Sequence, residues 1–238
     1  VFQEIFRRSG AEITSAEARG PMGRAKRDHI AAILALPRVA AAWHTAFGRP
    51  PSEVDIDRLY AEFLPLQLAT LAQHADVIPG VPDVVAECRK RGLAIGSTTG
   101  YTRTLMDVVE PLARRQGFAP DVVICADDVP QGRPAPWMLY RAAEKLNAFP
   151  PSSIVAIDDT PVGIEAGRNA GAWTVAITRT GNSLGLSAEE VSALDPVERS
   201  RRIDAAAAQF LDLGADYVIE SVADLLPVLD EISLRLNA

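Results

Sequence analysis

Ile154-Val155-Ala156-Ile157-Asp158-Asp159-Thr160-Pro161-Val162-Gly163-Ile164 decides the reading of the fold. Four apolar residues run without a polar break, which predicts a strand covered on both faces. Two carboxylates close it. Pro161 then stands where the first turn of a helix tolerates proline, and the pattern up to residue 169 is helical. Strand, acidic turn and helix together form the repeating unit of a parallel α/β sheet.

The same alternation extends to both sides. Short apolar runs at 93–97, 121–125, 173–178 and 217–220 read as further strands, and the spacing predicts helices over 82–91, 103–116 and 136–147. The stretch 187–216 is helical and charged, opens with a capping-box pattern at Ser187 and Glu190, and reads as a connection before the last strand. Residues 1 to about 75 hold helices only. Gly10 ends the first, Thr14 and Glu17 fit a capping box for the second, and Gly20-Pro21 breaks it. Others are expected over 23–36 and 39–47. A longer one begins near Ser52, with Val54, Ile56, Leu59, Tyr60, Phe63 and Leu64 on one face, and Pro65 is expected to kink or end it. The character changes at Asp76-Val77-Ile78-Pro79-Gly80-Val81-Pro82. The expected organisation is a helical domain at 1–75 and an α/β domain at 76–238 with one open parallel sheet.

Composition narrows the function classes. The chain has 238 residues, 48% hydrophobic and 23% charged, enough to bury a proper core. Lys plus Arg number 24 against 31 Asp plus Glu, a net charge of −7, which argues against a phosphate-neutralising nucleic-acid surface. Two cysteines, Cys88 and Cys125, exclude a disulfide-rich scaffold and a Cys-rich zinc module. No apolar run approaches the ~20 residues of a membrane span, so a cytoplasmic protein without membrane contact is expected. Val1, Phe2, Ile5 and Phe6 have helical spacing with no cap before them, which predicts a segment upstream of Val1.

In an open parallel sheet the chemistry lies beyond the carboxyl ends of the strands. Ser97-Thr98-Thr99-Gly100-Tyr101-Thr102 follows one strand, and its hydroxyls and glycine suit an anion or simply a self-capped loop. After another comes Gly132-Arg133-Pro134, a guanidinium on stiff backbone, fit for a two-pronged phosphate contact or for a surface ion pair with Asp127 or Asp128. Asp158 and Asp159 suit magnesium, while either is also able to cap the next helix. Hydroxyls, a cationic clamp and a metal site together handle a phosphoryl group.

The order of these loops resembles the haloacid dehalogenase superfamily. Pro21-Met22-Gly23-Arg24-Ala25-Lys26-Arg27-Asp28-His29, the loop 96–102, Asp127-Asp128-Val129-Pro130-Gln131-Gly132-Arg133-Pro134 and Asn169-Ala170-Gly171-Ala172-Trp173-Thr174-Val175 narrow the resemblance to its phosphonatase family. The resemblance covers nearly the whole chain, and the lysine-centred motif is its most specific part. It implies a Rossmann-like core with a helical cap, a phosphonoacetaldehyde substrate, Mg2+, and a homodimer formed through the caps; Trp43, Phe47, Tyr60 and Phe63 on the cap helices either offer apolar surface for that pairing or fill the cap's own core. By match to the family motifs, Lys26 is the Schiff-base lysine, His29 the proton-handling histidine, Met22 the residue packed beside the lysine and Tyr101 the core residue reaching towards it. Thr99 and Gly100 hold the phosphoryl group with Arg133. Asp159, with Asp158 beside it, binds the metal. The superfamily often places another Asp four residues after the first, where this chain has Gly163. Its nucleophilic Asp matches no segment here, and the strand bearing it is expected roughly two dozen residues before Val1. Two alternatives stand beside this reading. One is another capped phosphatase or mutase of the superfamily, in which Lys26 is exposed and dispensable. The other is a non-catalytic module or inactive fragment.

Overall fold

The computed structural model describes residues 1–236. Five helices come first: α1 (Phe2–Arg8), α2 (Ser15–Arg19), α3 (Lys26–Leu34), α4 (Pro37–Phe47) and α5 (Glu53–Leu71). The remainder alternates: α6 (Val81–Lys90), β1 (Gly96–Thr98), α7 (Arg103–Arg115), β2 (Val122–Ile124), α8 (Trp137–Leu146), β3 (Val155–Asp158), α9 (Pro161–Ala170), β4 (Trp173–Ile177), α10 (Ala188–Ala193), α11 (Pro196–Asp212), β5 (Tyr217–Ile219) and α12 (Leu225–Leu236). Both capping boxes form, at Thr14–Glu17 and at Ser187–Glu190. Pro65 does not end α5, which continues to Leu71. The proline removes one backbone donor, but Phe63 and Leu71 on either side of it stay buried, and that packing carries the helix through.

The helical segment has a core of its own. Ile5, Phe6, Ile30, Ile33, Val39, Trp43, Leu59 and Phe63 form one buried cluster. Trp43 and Phe63 are fully buried there, so they do not belong to an outer apolar face. Phe47 stacks on Trp43 at 4.4 Å and is 39% exposed. No single described helix is long and apolar enough to cross a membrane. The bent pair α3 and α4, meeting at 80°, has the composition for it, yet its apolar residues fill this cluster.

The α/β segment holds two parallel sheets where one was expected. β1 pairs with β2, and β4 lies between β3 and β5. Alternation along each strand covers both faces. In β2, Val123 packs with Met106 of α7, whereas Ile124 packs with Met138 and Ala142 of α8. In β4, Val175 meets Val84, Cys88 and Leu225, whereas Ala176 meets Ile164 and Phe210. β1 is also shorter and later than 93–97. The amide of Leu93 donates to Cys88 O at 3.0 Å and that of Ile95 to Asp121 Oδ2 at 2.8 Å, so the first residues of the run are committed outside the ladder. β1 and β3 form no ladder with each other, and the Arg133 side chain spans from one to the other.

Phe210, fully buried, anchors α11 on β4. Phe210→Ala should lower unfolding free energy by about 3–5 kcal/mol, while Phe149→Ala, at a position 85% exposed, should change it by less than about 0.5 kcal/mol. Urea denaturation of the two variants checks the contrast.

Candidate active site

The carboxyl ends of β1 and β3 face the start of α3, and the approach is close. A Cβ at Gly100 would overlap Arg24 O, and one at Gly23 would overlap Thr160 Oγ1 and come within 2.8 Å of Val162. Gly23 also has φ +91°, open to glycine at little cost. Glycines at these two positions let the loop before α3 rest directly on the α/β segment.

Arg133 occupies the seam. Its Nη2 donates to Thr98 O at 2.9 Å and to Thr98 Oγ1 at 2.7 Å, its Nη1 donates to Gly23 O at 3.3 Å, and the Asp158 carboxylate lies 3.4 Å away. The side chain is 11% exposed, so the surface ion pair with Asp127 or Asp128 does not form. Asp127 and Asp128 instead accept from Arg103, at its backbone amide and guanidinium respectively.

Lys26 opens α3 and is buried, 9% exposed. The ammonium lies 4.9 Å from the Tyr101 ring centroid and 5.8 Å from that of Phe2. Burial, then the charge of Arg133, pulls its pKa down to about 8. Burial also raises the Tyr101 phenol. His29, one turn further along α3, is fully buried. Because a carbonyl only accepts, the 2.8 Å contact with Ala18 O fixes the proton on Nε2. Nδ1 is then a buried acceptor without a partner. Burial drives the His29 pKa down to about 4, so the imidazole is neutral at physiological pH. Phe2 stacks on its ring at 4.0 Å and meets Phe63 at 4.7 Å.

Thr99 Oγ1 accepts from the Tyr101 amide at 3.1 Å, which shapes the loop after β1. Asp158 Oδ1 accepts from the amide and hydroxyl of Thr160 at 2.9 and 2.7 Å, and Thr160 itself caps α9. Asp159 Oδ2 accepts from the Asn182 amide at 2.7 Å. Burial, then the Asp158 carboxylate, raises the Asp159 pKa, so a cation there would relieve both penalties. Among the described residues no group of three or more His, Cys, Asp or Glu side chains converges on one point. Two adjacent carboxylates are oxygen donors of the kind that magnesium takes, with its remaining positions left to water and phosphate oxygens.

Lys26, Tyr101, Arg133 and Asp158 are thus joined through direct neighbours, with Asp159 next to Asp158 in sequence. Met22 lies in the turn between α2 and α3, half-buried, with its amide on Arg19 O. Phe2 and Thr98 belong to the site and were not expected there. A ring at helical spacing reads as ordinary core, and Thr98 was one hydroxyl among several in its loop.

Comparison with known proteins places the chain in a family. A family profile described as haloacid dehalogenase-like hydrolase matches residues 2–171. The chain is 47% identical over 235 residues to a phosphonoacetaldehyde hydrolase of Paraburkholderia phytofirmans, covering 99% of this chain and 88% of that one. It is 44% identical to a phosphonoacetaldehyde hydrolase of Bacillus cereus, covering 98% and 88%. The crystal structure of a phosphonoacetaldehyde hydrolase-like protein from Oleispira antarctica superposes with a TM-score of 0.96 at 39% identity, covering 99% of this chain and 85% of that one. The chain belongs to the haloacid dehalogenase-like hydrolases and, within them, to the phosphonoacetaldehyde hydrolase family.

Proposed function

We propose that this protein cleaves the carbon–phosphorus bond of phosphonoacetaldehyde, giving acetaldehyde and phosphate. The observation that carries the proposal is the Lys26 amine, buried at the seam between the two segments with its pKa lowered to about 8. A lysine attacks a carbonyl only when neutral. At pH 7.5 roughly a quarter of such amines are neutral, against about one in a thousand for an unperturbed lysine.

Lys26 Nζ adds to the aldehyde and water leaves, forming a protonated imine. The electron pair of the C–P bond moves towards the imine as phosphorus is attacked, leaving an enamine on Lys26. Protonation at carbon and hydrolysis return the amine and release acetaldehyde, while a second water releases phosphate. Arg133, with the Thr99 and Gly100 loop, holds the phosphoryl oxygens, and His29 Nδ1 is an unprotonated base one turn from the amine. Asp158 and Asp159 would hold Mg2+, which when bound supplies positive charge next to the phosphoryl oxygens. The group that attacks phosphorus is not assigned to a residue of this chain. The helical segment 1–75 acts as the cap, and pairing of caps makes the homodimer.

The alternative, another capped phosphatase or mutase, expects an exposed and dispensable Lys26, and its burial favours the first reading. Borohydride added with phosphonoacetaldehyde should leave a covalent adduct on the Lys26 peptide. Lys26→Arg should abolish both adduct and acetaldehyde release, since a guanidinium stays protonated. An adduct confined to other lysines, or turnover retained in the variant, would assign the chemistry elsewhere.

Arg133→Ala removes a charge-assisted phosphate contact, so inorganic phosphate should inhibit more weakly by about 1.5–3 kcal/mol in binding free energy. Because Arg133 also bridges Thr98, Gly23 and Asp158, the melting temperature should fall as well. Inhibition constants and thermal melts of the variant check both effects.

A further inference from the structure

Asp158 ends β3, yet its carboxylate is far from free. It lies over the first turn of α9, 14% exposed, with Oδ1 on the Thr160 amide and hydroxyl and Oδ2 towards Arg133. Thr160 Oγ1 in turn accepts from the Gly163 amide at 3.2 Å. The volume taken by the carboxylate is the one a side chain at position 163 would fill. A Cβ there would overlap Asp158 Cγ and both carboxylate oxygens. Gly163 sits inside α9 without the positive φ that demands glycine. Inside a helix glycine is less favourable than alanine, so its presence needs another cause.

We infer that Gly163 is a positioning residue: its missing side chain is the socket that holds the Asp158 carboxylate between Thr160 and Arg133. The socket has room for one carboxylate, and in this chain Asp158 at the end of β3 fills it. The inference rests on the proposed reading of Asp158 as a ligand of the divalent cation, and goes beyond it by naming what sets that ligand's place. Any side chain at 163 must push Asp158 out of the socket. The displaced carboxylate then loses Thr160 and Arg133 together, because all three contacts depend on the same position.

Calorimetric titration of Mg2+ into the full-length protein tests this without using turnover. Asp158→Asn should weaken Mg2+ binding, which establishes the underlying reading. Gly163→Ala should weaken it on the order of tenfold or more, as loss of ligand orientation does at metal sites. The exchange variant Asp158→Gly with Gly163→Asp should recover most of the affinity, because the socket again holds one carboxylate. Weakening by Asp158→Asn together with wild-type affinity in Gly163→Ala would overturn the inference and leave the ligand reading intact. Wild-type affinity in Asp158→Asn would overturn the ligand reading itself. Should Gly163→Ala fail to fold, Asp158→Gly with Gly163→Ala, in which the overlap is gone, must fold and still bind Mg2+ weakly. A misfolded double variant would show that the socket is not the cause.

Discussion

The guanidinium of Arg133 is the contact on which the site depends. It reaches the end of β1 through Thr98, the end of β3 through Asp158 and the loop before α3 through Gly23 O. Two sheets that share no ladder, and a helical segment with its own core, are tied at one buried cation. The desolvation cost of placing a charge there is offset by hydrogen bonds to fixed oxygens and by a nearby carboxylate. The same charge helps hold the Lys26 amine below its ordinary pKa. One residue therefore acts on architecture and on nucleophilicity together.

Aromatic rings complete what the charge begins. Phe2 and Tyr101 border the Lys26 ammonium from two different segments, and no carboxylate pairs with it among the described residues. The π faces attract the ammonium far less than a carboxylate would, so burial prevails and the pKa falls. Stacking of Phe2 on His29 and its contact with Phe63 join that environment to the helical core. Packing of the helical segment and reactivity of the lysine are in this way one problem for the chain.

Much of the fold is legible in the sequence. β2 to β5 fall within a residue or two of their apolar runs, because strands buried on both faces carry uninterrupted hydrophobicity. β1 was misplaced: Leu93 and Ile95 have strand-like side chains, but their amides bond to Cys88 O and Asp121. A side-chain acceptor from a distant loop leaves no mark on local periodicity. Pro65 misled for a related reason, since tertiary burial of α5 outweighed one lost hydrogen bond. At the site, the chemistry-bearing loops stood out because strand ends are where polar residues need a reason. Phe2 and Thr98 did not stand out, since their roles come from proximity to residues far away in sequence. The pairing of Gly163 with Asp158 was visible only as a missing side chain.

The central claim is that burial and Arg133 make Lys26 a reactive amine, and the pKa of that amine tests it most directly. Competitive labelling of Lys26 against a solvent-exposed lysine, followed by mass spectrometry across pH, reads the titration at a single residue. The account predicts a midpoint at about 8. A midpoint at the ordinary lysine value of about 10.4 would contradict it, because the amine would then be protonated when the aldehyde arrives.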